Sequence, residues 1–149
     1  MRLEEEIKQK KFKDEYQKTV VNLIYTTNWL VSKHAPIMRE CGLTVQQYNI
    51  LRILRGQYPN PATVNLLKER MLDKMSDASR LVDRLLDKGY LIRKTCKNDR
   101  RRVDITITQA GLDILATIDV AEEKMYDQLK SITTEEATLL NDLLDKLRG

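Results

Sequence analysis

Six basic residues and one aspartate lie within ten consecutive positions, residues 93 to 102, in the stretch RKTCKNDRRR. Their side chains give this segment a local charge of +5, whereas the whole chain carries only +4, so the remainder nets −1. Guanidinium and ammonium groups bind phosphate oxygens, and charge concentrated on one short element suits a finger that lies along nucleic acid. The alternative interpretation is a solvated charged loop.

A second polar set shares one face of the helix predicted over residues 77 to 88, for which Ser76 is the predicted N-cap. Arg80 is the best candidate for reading a base, because an arginine can donate two hydrogen bonds to guanine O6 and N7. Ser76 and Ser79 are better suited to phosphate oxygens, and Arg84 lies one turn later on the same face. The alternative is that both arginines pair with aspartates of the same helix on a solvated surface.

Local signals predict the elements that position these residues. Thr44 and Thr63 are N-caps for two helices before residue 77, and Gly89 ends the helix that Ser76 begins. Two β-prone segments, residues 90 to 95 and 103 to 108, flank the arginines and form a hairpin. In the second strand, the residues facing inward are Val103, Ile105 and Ile107.

Longer amphipathic helices flank this middle region. One is predicted over residues 5 to 35 and ends at Pro36. Another has Thr108 as its predicted N-cap and runs to about residue 130, and a last helix opens with a capping box from Thr133 to Glu136. The apolar stripes of residues 5 to 35 and 109 to 148 are wider than the middle region can cover. A second copy of the chain is therefore expected to pack against them.

The order helix, turn, helix, hairpin predicts a winged helix-turn-helix within a mainly α-helical chain that has a small β-hairpin wing. We expect a single domain over residues 1 to 149, with the winged module at 43 to 111 and dimerisation helices at 5 to 35 and 109 to 148. Such a module fits duplex DNA, because the major groove accepts an α-helix whose first turns reach the base edges.

The segment from residue 43 to 111 resembles the MarR (multiple antibiotic resistance regulator) family of transcription factors. Its most specific piece is the wing, where Asp99, Arg101 and the strand ending ITIT occupy the family's motif positions. The resemblance implies that Asp99 holds Arg101 by an ion pair and that Arg101 enters the minor groove, with Arg100 and Arg102 on phosphates. The expected DNA-contacting residues are Ser76, Ser79, Arg80, Arg84, Lys97, Asp99, Arg100, Arg101 and Arg102.

The same resemblance implies a homodimeric repressor that binds a pseudo-palindromic operator and releases it when a small molecule enters a cleft. Expected lining residues for that pocket are Tyr25, Trp29, His34 and Tyr48. Aromatic residues on apolar helix faces are more often core residues. Cys41 or Cys96 could sense oxidants, although inert thiols are the simpler interpretation.

Other functional classes find little support in the sequence. A single histidine, two distant cysteines and the lack of a Gly-rich phosphate loop leave no catalytic set, no metal site and no cofactor site to expect. The chain contains no apolar run of membrane-spanning length, so we expect a cytoplasmic protein that binds no membrane. The remaining alternative to an operator-binding regulator is a winged helix that docks on a protein or binds RNA.

Overall fold

The computed structural model describes residues 2–95 and 103–149. In these residues the chain is mainly helical, with one two-stranded antiparallel sheet, as the sequence predicts. The elements are, in chain order, α1 (Leu3–Glu6), α2 (Glu15–Glu40), α3 (Val45–Gln57), α4 (Val64–Arg70), α5 (Ala78–Asp87), β1 (Leu91–Thr95), β2 (Val103–Ile107), α6 (Gln109–Tyr126), a 3-10 helix (Asp127–Ser131) and α7 (Thr134–Arg148).

The hydrophobic core is centred on α3, where Ile50, Leu51 and Leu54 are almost completely buried. Side chains from α4, α5, the hairpin and α6 complete one continuous cluster around them. Leu115 and Ile118 of α6 belong to this cluster, so the first half of α6 is part of the same core as the helix-turn-helix. This shared core fixes the position of the two short helices α4 and α5 relative to α6.

Threonine side chains begin four of the helices, three of them as N-caps predicted from the sequence and the fourth in a predicted capping box. Thr44 Oγ1 accepts from the backbone N–H of Gln47 at 3.1 Å, and Gln47 Oε1 accepts in return from the Thr44 N–H at 3.0 Å. The equivalent acceptor at the start of α4 is Thr63, and at the start of α6 it is Thr108. Thr133 and its capping box begin α7. Each contact satisfies a backbone donor that the helix itself leaves unpaired.

The hairpin joins the core through its second strand. Arg93 pairs with Ile105 and Leu91 with Ile107 in the antiparallel register, and both isoleucines are buried. An additional bridge links Ile105 to Ala62, with N–O distances of 2.8 and 2.9 Å, and so attaches the wing to the residues before α4. Gly111 lets α6 approach the hairpin, since a Cβ there would lie 2.5 Å from the Tyr90 carbonyl oxygen.

The prediction of a single helix over residues 5 to 35 is wrong at both ends. The chain forms the short α1, then leaves the helical conformation until Asp14 caps α2 by accepting from the Gln17 N–H at 2.8 Å. Pro36 lies inside α2 rather than ending it. Its missing N–H costs one helical hydrogen bond, but the last turn is retained because Met38 is buried in the core.

Other helix boundaries also differ from the prediction. The helix predicted to run from 109 to about 130 ends at Tyr126 and continues as the 3-10 helix. Leu129, expected on the apolar stripe of that helix, is exposed as a result. The helix that Thr44 caps, which was expected to run to about Arg55, ends at Gln57. The amino-acid pattern alone does not show where a helix ends, because its end depends on which neighbouring elements the helix packs against.

Candidate nucleic-acid interface

The polar face of α5 is exposed, and its opposite face, with Val82 and Leu85 fully buried, anchors the helix in the core. Arg80 and Arg84 line one shallow depression of about 220 Å³ together with Ser76 and Gln46. Ser76 and Ser79 border a neighbouring depression of about 300 Å³. The structure thus brings the four predicted α5-face residues onto one continuous surface.

The arginines on this surface have no carboxylate partner within residues 2–95 and 103–149. Asp83, which could have paired with either, instead accepts from Arg93 Nη2 of β1 at 2.8 Å. Asp77 accepts from the backbone N–H of Arg80 at 3.1 Å and is the N-cap of α5. Among the described residues neither Arg80 nor Arg84 forms an ion pair with an aspartate of α5, and both side chains are exposed.

Ser76 is not the N-cap of α5, contrary to the prediction. Its hydroxyl donates to Asp73 Oδ2 at 2.7 Å, and Asp73 Oδ1 accepts from the Met75 N–H at 3.0 Å. The Ser76 hydrogen bond is the main reason that the pKa of Asp73 is lowered. Serine and aspartate are both favourable N-caps, so local preference does not choose between residues 76 and 77. In the structure the Asp77 side chain takes that role, by accepting from the Arg80 N–H.

Three polar residues on neighbouring helices border the same surface and were missed by sequence reasoning. Gln46 of α3 lies at the depression that contains Arg80, and Asn65 and Lys68 of α4 line the one that contains Ser79. All three lie on amphipathic helices whose polar positions look alike in the sequence. Only the packing of α3 and α4 against α5 distinguishes them from other exposed residues.

The base of the wing contacts α5 through the exposed Arg93–Asp83 ion pair. The tip of the wing lies outside the described residues. The predicted sites that fall there are Cys96, Lys97, Asp99, Arg100, Arg101 and Arg102.

The four residues expected to line one ligand pocket separate into two places. Tyr25 and Trp29 border a cleft of about 300 Å³ between α1 and α2. His34 and Tyr48 instead converge on Glu122, a residue of α6 that sequence reasoning missed. A signal for Glu122 was present, because it follows Leu115 and Ile118 at helical spacing on the buried face of α6.

Glu122 is 5% exposed and joins three helices. The Tyr48 hydroxyl donates to its Oε2 at 2.6 Å, and His34 Nδ1 lies 3.3 Å from its Oε1. In the described residues Oε1 has no hydrogen-bond partner. Burial of the phenol, followed by its hydrogen bond to Glu122, raises the pKa of Tyr48 well above its ordinary value.

A second polar contact between α3 and α6 lies beside this one. Arg55 donates from both terminal nitrogens to Asp119, at 2.6 and 3.1 Å. Arg52 stacks over the Tyr48 ring with its Cζ 5.7 Å from the ring centroid, a cation–π distance. Paired donors fix both distance and angle, so the orientation of α3 against α6 is set by polar geometry as well as by apolar packing.

Neither a candidate metal site nor a membrane-spanning helix occurs in the described residues. No group of three or more histidine, cysteine, aspartate or glutamate residues comes together there in a way that could hold a metal ion. Within the same residues, no helix combines the length and the apolar character needed to cross a membrane. Cys41 is a half-buried free thiol at the edge of the core.

Comparison with known proteins agrees with this geometry. Residues 42–102 match the model of the MarR family. The HTH-type transcriptional regulator FarR of Neisseria gonorrhoeae is 27% identical over 128 residues, which cover 85% of this chain and 86% of that protein. A MarR transcription factor from Planctomyces limnophilus superposes with a TM-score of 0.67 at 27% identity, covering 91% and 98% of the two chains.

A further solved structure supports the fold. The organohalide-sensing regulator RdhR, solved with bound 2,4-dichlorophenol, superposes with a TM-score of 0.79 at 20% identity and covers 94% of this chain and 85% of its own. At that identity the likeness concerns the fold.

Proposed function

We propose that this chain, whose residues 42–102 match the MarR family model, is a MarR-type repressor that binds double-stranded DNA in a sequence-specific manner. The observation that carries the proposal is the exposed face of α5, where Arg80 and Arg84 lack carboxylate partners among the described residues. An unneutralised guanidinium near the start of an exposed helix suits guanine in the major groove. Arg80 reads a base, and Ser79 and Arg84 contact the neighbouring backbone.

The wing completes the proposed interface. Its sequence places Arg100, Arg101 and Arg102 beside Asp99, and the first wing strand is fixed against α5 through Arg93. Arg101, oriented by Asp99, enters the minor groove, where a narrowed A·T-rich segment has enhanced negative potential. Arg100, Arg102 and Lys97 neutralise phosphates on either side.

The protein acts as a homodimer in this proposal. Large apolar side chains on the outer helices remain exposed in the single chain, among them Leu139, Leu140, Leu143 and Leu147 of α7. A contiguous exposed apolar stripe of this kind indicates an interface. Two-fold symmetry would place two α5 helices about 34–36 Å apart and select a nearly palindromic operator.

A small-molecule effector is part of the proposal. RdhR binds 2,4-dichlorophenol, and for this chain the supporting feature is the cleft that Tyr25 and Trp29 border. His34 and Tyr48, which join α2 and α3 to Glu122, are suited to transmit movement of α2 to the winged module rather than to line the same pocket.

In vitro selection from random-sequence duplexes tests the proposal. We expect enrichment of a two-fold symmetric sequence with half-sites about one helical turn apart. In fluorescence anisotropy, binding to that sequence should weaken steeply with salt, and Arg101→Ala should reduce affinity most when the flanks are A·T-rich. Enrichment of no sequence, with equal binding of duplex and single-stranded RNA, would favour an RNA-binding or protein-docking module and contradict the proposal.

A further inference from the structure

The cleft between α1 and α2 has a defined shape, because contacts of three α1 residues hold this helix against α2. Lys18 Nζ lies 2.6 Å from Glu4 Oε1, and the Tyr25 hydroxyl donates to Glu6 Oε2 at 2.9 Å. Leu3 is buried. Because these contacts involve three of the four residues of α1, the short helix is held against α2 in a defined orientation.

The lining of this cleft combines aromatic rings with one carboxylate. Its described residues are Leu3, Glu6, Asn22, Tyr25, Thr26 and Trp29, and none of these is a lysine, an arginine or a histidine. Glu4 is neutralised by Lys18, whereas Glu6 has no ion-pair partner in the part of the chain that the structure describes. The hydrogen bond to Glu6 is the main reason that the pKa of Tyr25 is raised, which keeps the phenol neutral. The net charge of the lining is therefore negative.

We propose that this cleft binds an organic cation, such as a quaternary ammonium or a protonated amine attached to an apolar body. Aromatic faces attract a cation through the negative face of the ring, and the attraction grows when the cation is partly desolvated. The Glu6 carboxylate adds a counter-ion, and Leu3 contacts the apolar body. An anionic ligand would instead place its charge beside Glu6, where the described lining residues offer no compensating cation.

The cleft is separate from the apolar stripe that we assign to the dimer. With 3.6 residues per turn, the four α2 residues that line the cleft cluster on one side of the helix. Large apolar residues exposed on the other side of α2 are Tyr16, Val20, Ile24 and Val31. A dimer that covers this second face leaves the cleft open, so a cation can enter it in the assembled protein.

Trp29 provides the measurement, because it is the single tryptophan of the chain and lines the cleft. The full-length protein is titrated with 3-hydroxyphenyltrimethylammonium, its neutral isostere 3-tert-butylphenol and the anion 3-hydroxybenzoate, by tryptophan fluorescence and calorimetry. We expect saturable binding of the cation, about tenfold tighter than of either other probe. Equal or tighter binding of the neutral or anionic probe, or no binding of the cation, would overturn the assignment.

Two variants locate the effect. Glu6→Gln retains the size and the acceptor for Tyr25, and it should weaken cation binding about tenfold without changing the affinity for 3-tert-butylphenol. Glu123→Gln removes the same charge from an exposed position of α6 and should leave cation binding unchanged. Equal weakening in both variants would mean a general charge effect and overturn the site.

The role of the cation as an effector rests on the function proposed above, whereas its binding does not. DNA affinity is therefore measured on the same preparation, with and without the cation. Specific DNA binding that weakens on adding the cation supports both ideas. Cation binding without any specific DNA binding would contradict the proposed function and leave the site intact, and specific DNA binding without cation binding would do the reverse.

Discussion

The Tyr48 hydroxyl of α3 donates a 2.6 Å hydrogen bond to Glu122 Oε2 of α6, and so joins two residues that are 74 positions apart. His34 of α2 lies 3.3 Å from the other oxygen of the same carboxylate. One buried side chain thereby connects the winged module to both long outer helices. Loss of this contact should affect stability and the orientation of α5 together.

Tyr48→Phe should destabilise the protein by about 1–3 kcal/mol, because it leaves a buried carboxylate oxygen without its donor. The free energy of unfolding from urea titration measures the effect. Tyr58→Phe removes the same hydroxyl from an exposed position and should change stability by less than about 0.5 kcal/mol. Equal stability of the two variants would show that the Tyr48–Glu122 contact does not form.

Stability should fall in alkaline solution through Tyr48. Burial and the Glu122 hydrogen bond raise the pKa of Tyr48 above that of an unfolded tyrosine. A raised pKa in the folded state stabilises the protein below the pKa of the unfolded state, about 10, and this contribution is lost as pH rises further. Melting temperatures measured across that range should fall more steeply for the wild type than for Tyr48→Phe. Parallel curves would contradict the assignment.

The correction at the start of α5 has its own test. Asp77→Ala should cost about 1 kcal/mol of stability through loss of the N-cap, and Asp77→Asn should cost much less because asparagine caps equally well. Ser76→Ala should have a smaller effect than Asp77→Ala, since Ser76 only supports the preceding turn through Asp73. Chemical denaturation ranks the three variants, and a larger loss for Ser76→Ala would restore Ser76 as the cap.

The proposed dimer depends on the apolar stripe of α7. Leu140→Lys and Leu143→Lys introduce charge into that stripe and should convert a dimer into a monomer in sedimentation or light-scattering measurements. Thr138→Lys places the same charge on the opposite side of α7 and should leave the dimer intact. Dissociation by Thr138→Lys alone, or a wild-type monomer, would rule out this interface.

Features that depend on residues close together in the sequence were predicted correctly, whereas features that depend on distant residues were not. The caps at Thr44, Thr63 and Thr108 depend on residues within one turn, and all three were predicted correctly. The hairpin was predicted from one short β-prone segment and from strict alternation in the second strand. The prediction that Pro36 ends its helix was wrong. The hydrogen bond lost at Pro36 is offset by the burial of Met38 in the core, which only the tertiary structure shows.

The candidate sites show the same limit. The α5-face arginines were identified from their own helix, but their neighbour Gln46 comes from α3 and has no distinguishing local signal. The predicted aromatic pocket divided because Tyr25 and Trp29 face α1, whereas Tyr48 reaches Glu122 on α6. Long-range packing decides which of several similar polar or aromatic residues come into contact. The periodic pattern of the sequence does not contain that information.

The most direct test of DNA reading by α5 is the affinity of Arg80→Ala for the selected operator and for a scrambled duplex of equal length. We predict that the ratio of the two affinities falls by about one to two powers of ten, the loss of one bidentate contact, while binding to the scrambled duplex changes little. Arg148→Ala, at the end of α7, should behave as wild type. An unchanged ratio in Arg80→Ala would contradict the assignment of α5 as the recognition helix.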